Sequence, residues 1–422
     1  MTQLMKHNFP TEKKSLSAAV KGRIESVGFR VENVIFRSRP RYPVTANMYI
    51  PEGAENCPAL LFVGGSAPEG KFDKNCRRLA AELVSCGMVV LVMDSAGQGE
   101  RSLFTDVAAS DGIAGNPERE RELLAAQMKL VGESFVDWAL WDIIRAIDFL
   151  ESHSEVDPEK ICVAEGQGGT ACSLLSEVET RPLAIISEKL EENPENAPFF
   201  FSSLLDMDLV AAKRKISADI VPEQLQCTPA GAIARLDGQI MLFDFIRAEA
   251  DEYRVRRPEF SKASLREMVA EMLNISVNAS VPVNGICGNI DGCEKVLLKI
   301  SAGESGESNE NDFSGNEKII ELEVDDAEEG TKKILQSVKF WVSVGCERID
   351  LSAYGYAAIP ALFAALLSDD VENILLENAP ESFDSMLRKR IISVPAAFMP
   401  YGVLKITDIP QLVELVGAKI VK

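Results

Sequence analysis

Two stretches of the chain are apolar without interruption, Ala59 to Val63 and Met88 to Met93. Runs this short with no polar alternation are what parallel strands look like when both faces are buried. Between them, Asp73 to Ser85 carries a helical pattern, and Cys86-Gly87 is its stop signal. Strand, helix and strand at this spacing form a βαβ unit. Upstream, Phe29 to Phe36 and Thr45 to Ile50 are strand-like, while residues 1–25 are polar and read as a loose arm or a first helix. Downstream, Pro117 to Glu151 is helical with a break near Gly132, and Trp138, Trp141, Ile144 and Ile147 fall on one core-facing stripe. After Asp157-Pro158 come a short strand (Lys160 to Ala164), the run Gly166-Gln167-Gly168-Gly169-Thr170, a helix (Ala171 to Glu177) and another strand (Leu183 to Ser187). Alternation of this kind predicts an α/β fold, a doubly wound and mostly parallel sheet.

Residues 190–237 are less periodic, Gln239 to Phe245 (QIMLFDF) reads as an apolar strand, and the amphipathic helix Ser261 to Leu273 closes a first domain over 1–273. A second, partial α/β domain is expected over 274–422. Its strands are Val281 to Ile286, Lys295 to Ile300 and Ile319 to Val324, with a helix from Glu328 to Val342 and a final strand around Ala418 to Val421. Ser301 to Lys318 is poor in apolar residues and is expected to be a mobile loop. The second part repeats the middle of the first. DIIRAIDFL, ICVAEGQGGTACSLL, LAIISEKLEENP and ADIVPEQL are followed in the same order by KKILQSVKFW, IDLSAYGYAAIPALF, ENILLENAPESF and TDIPQL. Each copy reads helix, strand, sharp turn, helix and strand.

The chain has 422 residues, of which 46% are hydrophobic and 26% charged, with a formal charge of −21. The acidic balance excludes nucleic acid and anionic membranes as main partners, since both need a basic footprint. No apolar run approaches the roughly 18 residues of a membrane helix, and the N-terminal MTQLMKHNFPTEKK has no apolar core of a signal peptide. Nine cysteines without a paired CxxC do not form a disulfide framework, so a reduced, cytoplasmic protein is expected. Cys287 and Cys293 lack a second thiol or imidazole pair, and no metal or cofactor is expected. The decisive count is histidine: only His7 and His153 occur, so any His-dependent mechanism has two candidates.

A strand, a glycine-rich sharp turn and a helix make the setting of a nucleophile elbow. Here the turn is Glu165-Gly166-Gln167-Gly168-Gly169, and its tip is Gln167, an amide that is neither nucleophile nor base. In the second copy the tip is Gly355, after Tyr354.

Three segments carry a resemblance: Gly65-Ser66-Ala67-Pro68-Glu69-Gly70-Lys71, Asp94-Ser95-Ala96-Gly97-Gln98-Gly99-Glu100-Arg101, and WALWDIIRAIDFLESHSEVDPEKI over 138–161. Together they resemble the α/β-hydrolase superfamily, and more narrowly its acetyl-xylan-esterase-like branch, over residues 25–273. The remainder is similar to the degenerate second half of longer two-domain relatives. The resemblance implies an ester hydrolase whose nucleophilic serine would stand at Gln167 and whose histidine would fall near Pro258. The acid after the late strand would be Asp244, and Gly65, Ser66, Gln167 and Gly168 would border the pocket and oxyanion site. By this alignment the serine and histidine are both missing. Losing either from a triad costs about 10⁶ in rate.

The residues therefore predict a silent hydrolase fold that binds a small carbohydrate or acyl ligand or serves as a scaffold. His7 and His153 are expected to be solvated surface groups, and Asp94, Glu100 and Arg101 a structural ion network. One alternative is an active ester hydrolase in which Asp94 or Glu165 activates water. Another is assembly into a homo-oligomer through the exposed edge of the second sheet.

Overall fold

In the computed structural model of the chain, residues 7–102, 116–166, 171–186, 190–211, 239–256, 260–275, 294–302, 317–389 and 394–421 are described. Gln167, Gly168, Pro258, Cys287, Cys293, the expected strand Val281 to Ile286 and most of the expected loop over 301–318 lie outside them. Two compact units form, one from residues 1–124 and 134–245 and the other from 125–133 and 246–422.

The first unit begins with β1 (Ala19–Ser26), β2 (Phe29–Arg39) and β3 (Tyr42–Pro51), an antiparallel meander. Then follow β4 (Cys57–Val63), α1 (Lys74–Ser85), β5 (Val89–Met93), α2 (Pro117–Leu130), α3 (Phe135–Glu151), β6 (Val156–Glu165), α4 (Ala171–Val178), β7 (Ala184–Ile186), α5 (Ala197–Leu205) and α6 (Gln239–Arg256). The dividing points between the units fall inside α2, between α2 and α3, and inside α6. The sheet order is β1-β2-β3-β5-β4-β6-β7, with β5, β4, β6 and β7 parallel.

The uninterrupted apolar runs form the middle of this sheet, and successive residues feed opposite cores. Leu61 and Val63 pack with Trp141, Ile144 and Ile147 of α3, whereas Leu60 and Phe62 pack with Leu79 and Leu83 of α1 and Phe201 of α5. The tryptophan stripe is core: Trp138 and Trp141 are buried, and Trp141 Nε1 donates to Ser38 O at 2.8 Å. Asp73 caps α1 by accepting from Asn75 N and Cys76 N, and Gly87 ends it at φ +90°.

Three expectations fail. Residues 19–26 form an edge strand rather than an arm or helix. The outer face of β1 meets solvent, so its sequence shows no apolar signal, and pairing with β2 fixes it. The strand after α3 starts at Val156 and includes Pro158, which is tolerated because the register with β4 slips between Val156 and Ile161. The apolar run Gln239 to Phe245, which holds Asp244, opens the 18-residue helix α6 instead of a strand. A short apolar run fits both periods equally, and here the helix continues through the polar residues beyond it to Arg256.

The second unit contains α7 (Lys262–Met272), β8 (Lys295–Ser301), β9 (Glu317–Glu323), α8 (Ala327–Ser343), β10 (Arg348–Tyr354), α9 (Ala358–Leu367), β11 (Val371–Glu377), α10 (Phe383–Arg388), α11 (Val403–Ile406), α12 (Ile409–Val416) and β12 (Lys419–Val421). Its sheet is parallel throughout, in the order β12-β11-β10-β8-β9. The four strands β9-β8-β10-β11 thus stand in the same order as β5-β4-β6-β7 of the first unit. Helix α9 is apolar on all sides and buried along its whole length. No helix among the described residues is long and apolar enough to cross a membrane.

Candidate functional site

In open α/β sheets, ligands bind beyond the carboxyl ends of strands where the strand order reverses. In the first unit the chain leaves β4 for β5 on one side and later returns to β6 on the other. The loops after these three strands meet there. Gly166 N donates to Val63 O at 2.9 Å, and a Cβ on Gly166 would sit 2.9 Å from Gly65 N, so the two loops approach too closely for any side chain.

Beneath this crossing lies a buried ion network. Lys71 is fully buried; its ammonium contacts Asp94 and lies 2.7 Å from Glu100 Oε2. Asp94 also accepts from Lys71 N and from Thr45 Oγ1, both at 2.7 Å. Arg101 donates to Asp94 O at 2.9 Å and to Asp142 Oδ2 at 2.8 Å. Burial works against the Arg101 charge, but Tyr42 and the carboxylates of Asp142 and Asp94 outweigh it and hold the guanidinium charged. Lys71, Asp94, Glu100 and Arg101 are paired with opposite charges or hydrogen-bond partners, which is what buried charges require. Asp94 therefore has no free oxygen aimed at a water and serves structure, as expected from the sequence.

Above the network is a small cavity of about 70 Å³. Its polar walls are Gly64, Gly65, Ser95, Arg101, Arg121, Asp142 and Glu165, and its apolar walls include Val63, Met93, Phe135, Ala139 and Ile143. Ser95 Oγ donates to Gly64 O at 2.8 Å. Arg121 reaches Gly65 O at 3.4 Å, and burial lowers its pKa. Glu165 accepts from Cys172 N at 2.8 Å and Ala171 N at 3.3 Å at the start of α4. Burial raises its pKa, and those two amides and Arg121 only partly offset the effect. Asp142 Oδ1 is buried and has no hydrogen-bond partner among the described residues.

Of the residues singled out in the sequence, Gly65, Ser95, Arg101 and Glu165 line the cavity. Ser66 lies beside Gly65, with its hydroxyl on Glu118 Oε1 at 3.0 Å. Gln167, Gly168 and Pro258 are outside the described residues, and Asp244 lies in α6 rather than after a strand. In the second unit, Tyr354 ends β10 and Gly355, at φ +59°, turns the chain into a short 3-10 segment before α9. Tyr354 is 58% exposed and a Cβ on Gly355 would meet nothing within 4 Å.

Neither histidine is a solvated surface group. His7 Nδ1 lies 2.7 Å from Asp137 Oδ1, its ring stacks on Phe9, and only 12% of the side chain is exposed. His153 Nδ1 lies 2.7 Å from Glu155 Oε2, and its ring meets the edge of Phe149. Each sits between a carboxylate and an aromatic ring, of which only Asp137 is distant in sequence, and neither histidine lines the cavity. Lys71, Arg121 and Asp142 were missed by sequence reading. The available signal was a charged residue, Asp142, directly after Trp141 among the apolar positions of α3.

The chain matches no protein-family model and no curated protein. Among solved structures it is similar to esterases. One is an acetyl xylan esterase from Paenibacillus sp. R4, at 21% identity over 40% of this chain and 53% of that one, TM-score 0.31. Another is a glucuronoyl esterase from Solibacter usitatus, at 15% identity over 42% and 52%, TM-score 0.30. A third is acetyl xylan esterase 1 from Thermoanaerobacterium sp. JW/SL YS485, at 16% identity over 46% and 62%, TM-score 0.29. The chain spans about half the length of the first structures it matches. At such values no activity passes to this chain, and its α/β assignment rests on its own strands and helices.

Proposed function

We propose that the chain is an α/β-hydrolase-like protein that binds a small acyl or carbohydrate ligand at the carboxyl ends of β4, β5 and β6 without hydrolysing it. The observation that carries this reading is the location of the two histidines, each held by a carboxylate away from the cavity. With an amide at position 167 and no imidazole to accept a proton, the serines near the cavity lack the base that a triad supplies, and Ser66 meets only the exposed carboxylate of Glu118. Ser95 also spends its proton on a backbone carbonyl. Residual rate from oxyanion donors alone is about 10³ to 10⁴ over water, far below a working esterase. The test is hydrolysis of p-nitrophenyl acetate and acetylated xylan by the full chain. The expected rate equals that of buffer; turnover that disappears in Gln167→Ala overturns the proposal.

A second reading keeps an ester hydrolase in which Glu165 activates water. It is favoured by the raised Glu165 pKa on the cavity wall and opposed by the two amide donors that occupy its oxygens. Hydrolysis lost in Glu165→Gln would select it. We read the second unit as a shortened copy of the same design, on the shared strand order and the strand–turn–helix at Tyr354 and Gly355. Its role would be assembly through the edge strand β12, where Ile420 and Val421 are half exposed. Sedimentation as a clean monomer at high concentration would remove that role.

A further inference from the structure

One atom in the cavity has no explanation within the fold. Asp142 lines the cavity and is 3% exposed; its Oδ2 is bound by Arg101, and its Oδ1 is buried with no donor among the described residues. A buried carboxylate oxygen left without a donor keeps its full desolvation penalty, so the position favours whatever molecule supplies one.

The charges around it restrict that molecule. Asp142 is already neutralised by Arg101 at 2.8 Å, and Glu165 faces the Arg121 charge across the same cavity. Among the described residues the charged walls therefore come in two opposite pairs. A cation would meet two guanidinium groups, and an anion would meet the unpaired carboxylate oxygen. A neutral molecule with a donor for Asp142 Oδ1 and an acceptor for Arg121 meets neither repulsion. The hydroxyl of Ser95, whose proton goes to Gly64 O, offers lone pairs to a second donor hydrogen. The volume limits the bound part to a few heavy atoms.

We propose that the cavity takes a small uncharged hydrogen-bond donor, a primary amide or hydroxyl group, held on Asp142 Oδ1. This rests on the non-hydrolytic binding site described above and names its ligand chemistry. The probes are acetamide and ethylene glycol, with acetate, methylammonium and glycine as charged controls, followed on the full chain by saturation-transfer NMR. Acetamide or ethylene glycol should bind saturably in the millimolar range, and each charged control at least about ten-fold more weakly. Ala139→Leu, which fills the cavity without touching the ion network, should abolish the signal while the melting curve stays cooperative. Failure of both neutral probes to saturate overturns the proposal, as does equal binding of a charged control or binding unchanged in Ala139→Leu. Turnover of p-nitrophenyl acetate would refute the non-hydrolytic reading while leaving this ranking of probes intact, so the two failures are distinguishable.

Discussion

The two sheets run the same four strands in the same order, yet they bury charge at opposite ends. In the first unit, Lys71, Asp94, Glu100, Arg101 and Asp142 collect beyond the carboxyl ends of the strands, almost without exposure. In the second, the main cluster lies at the amino ends. There Asp350 accepts from Asn373 at 2.9 Å and pairs with Arg348 and Lys295, whose side chains are 43% and 33% exposed. Its carboxyl ends carry instead the exposed Tyr354 and the bare turn at Gly355. Strand order alone therefore does not make a site. The first unit commits buried charges to the switch point, where they set the floor of a cavity, and the second spends its charges on a solvent-screened strand start.

This contrast can be broken most sharply at Lys71. Lys71→Met leaves Asp94 and Glu100 buried without their cation and should cost about 3–5 kcal/mol. Arg348→Met, at the partly exposed cluster, should cost at most about 1 kcal/mol. Denaturant titration of both variants checks the pair, and equal losses would erase the distinction. The turns differ next. Gly166→Ala forces a methyl against the Gly65 backbone and should cost about 2–3 kcal/mol, as overpacked sites do. Gly355→Ala meets open space, and only its positive φ is strained, so about 1 kcal/mol is expected. Thermal melting of the two variants ranks them.

The smallest effect concerns pH. Arg30, Ser154 and His153 overcome burial and pull the Glu155 carboxyl down to about 2. A carboxyl lowered on folding stabilises the protein above its unfolded pKa, near 4.5, and this contribution fades as pH falls through about 2. Glu155→Gln should therefore lose about 1 kcal/mol or less at neutral pH, with the difference closing toward pH 2. Glu165 runs the other way, since its raised pKa favours the protonated form. Its contribution is complete below its unfolded pKa and is lost as pH rises through the folded value, so Glu165→Gln should flatten the decline in melting temperature on that limb.

The sequence by itself determined the parallel centre of the first sheet. Ala59 to Val63 and Met88 to Met93 are apolar at every position, and their short length with a helix between them fits strands buried on both faces. It also marked the strand–turn–helix at Gly355, where glycine permits φ +59°. The half-exposed β1 carried no such pattern, and the run through Asp244 fitted helix and strand alike until the rest of α6 settled it. What only the tertiary structure decided was which polar groups meet. Lys71 and Asp94, Arg101 and Asp142, and His7 and Asp137 are separated by 23, 41 and 130 positions. Electrostatic pairing depends on distance through space and on exclusion of water, and neither is written in the local order of residues.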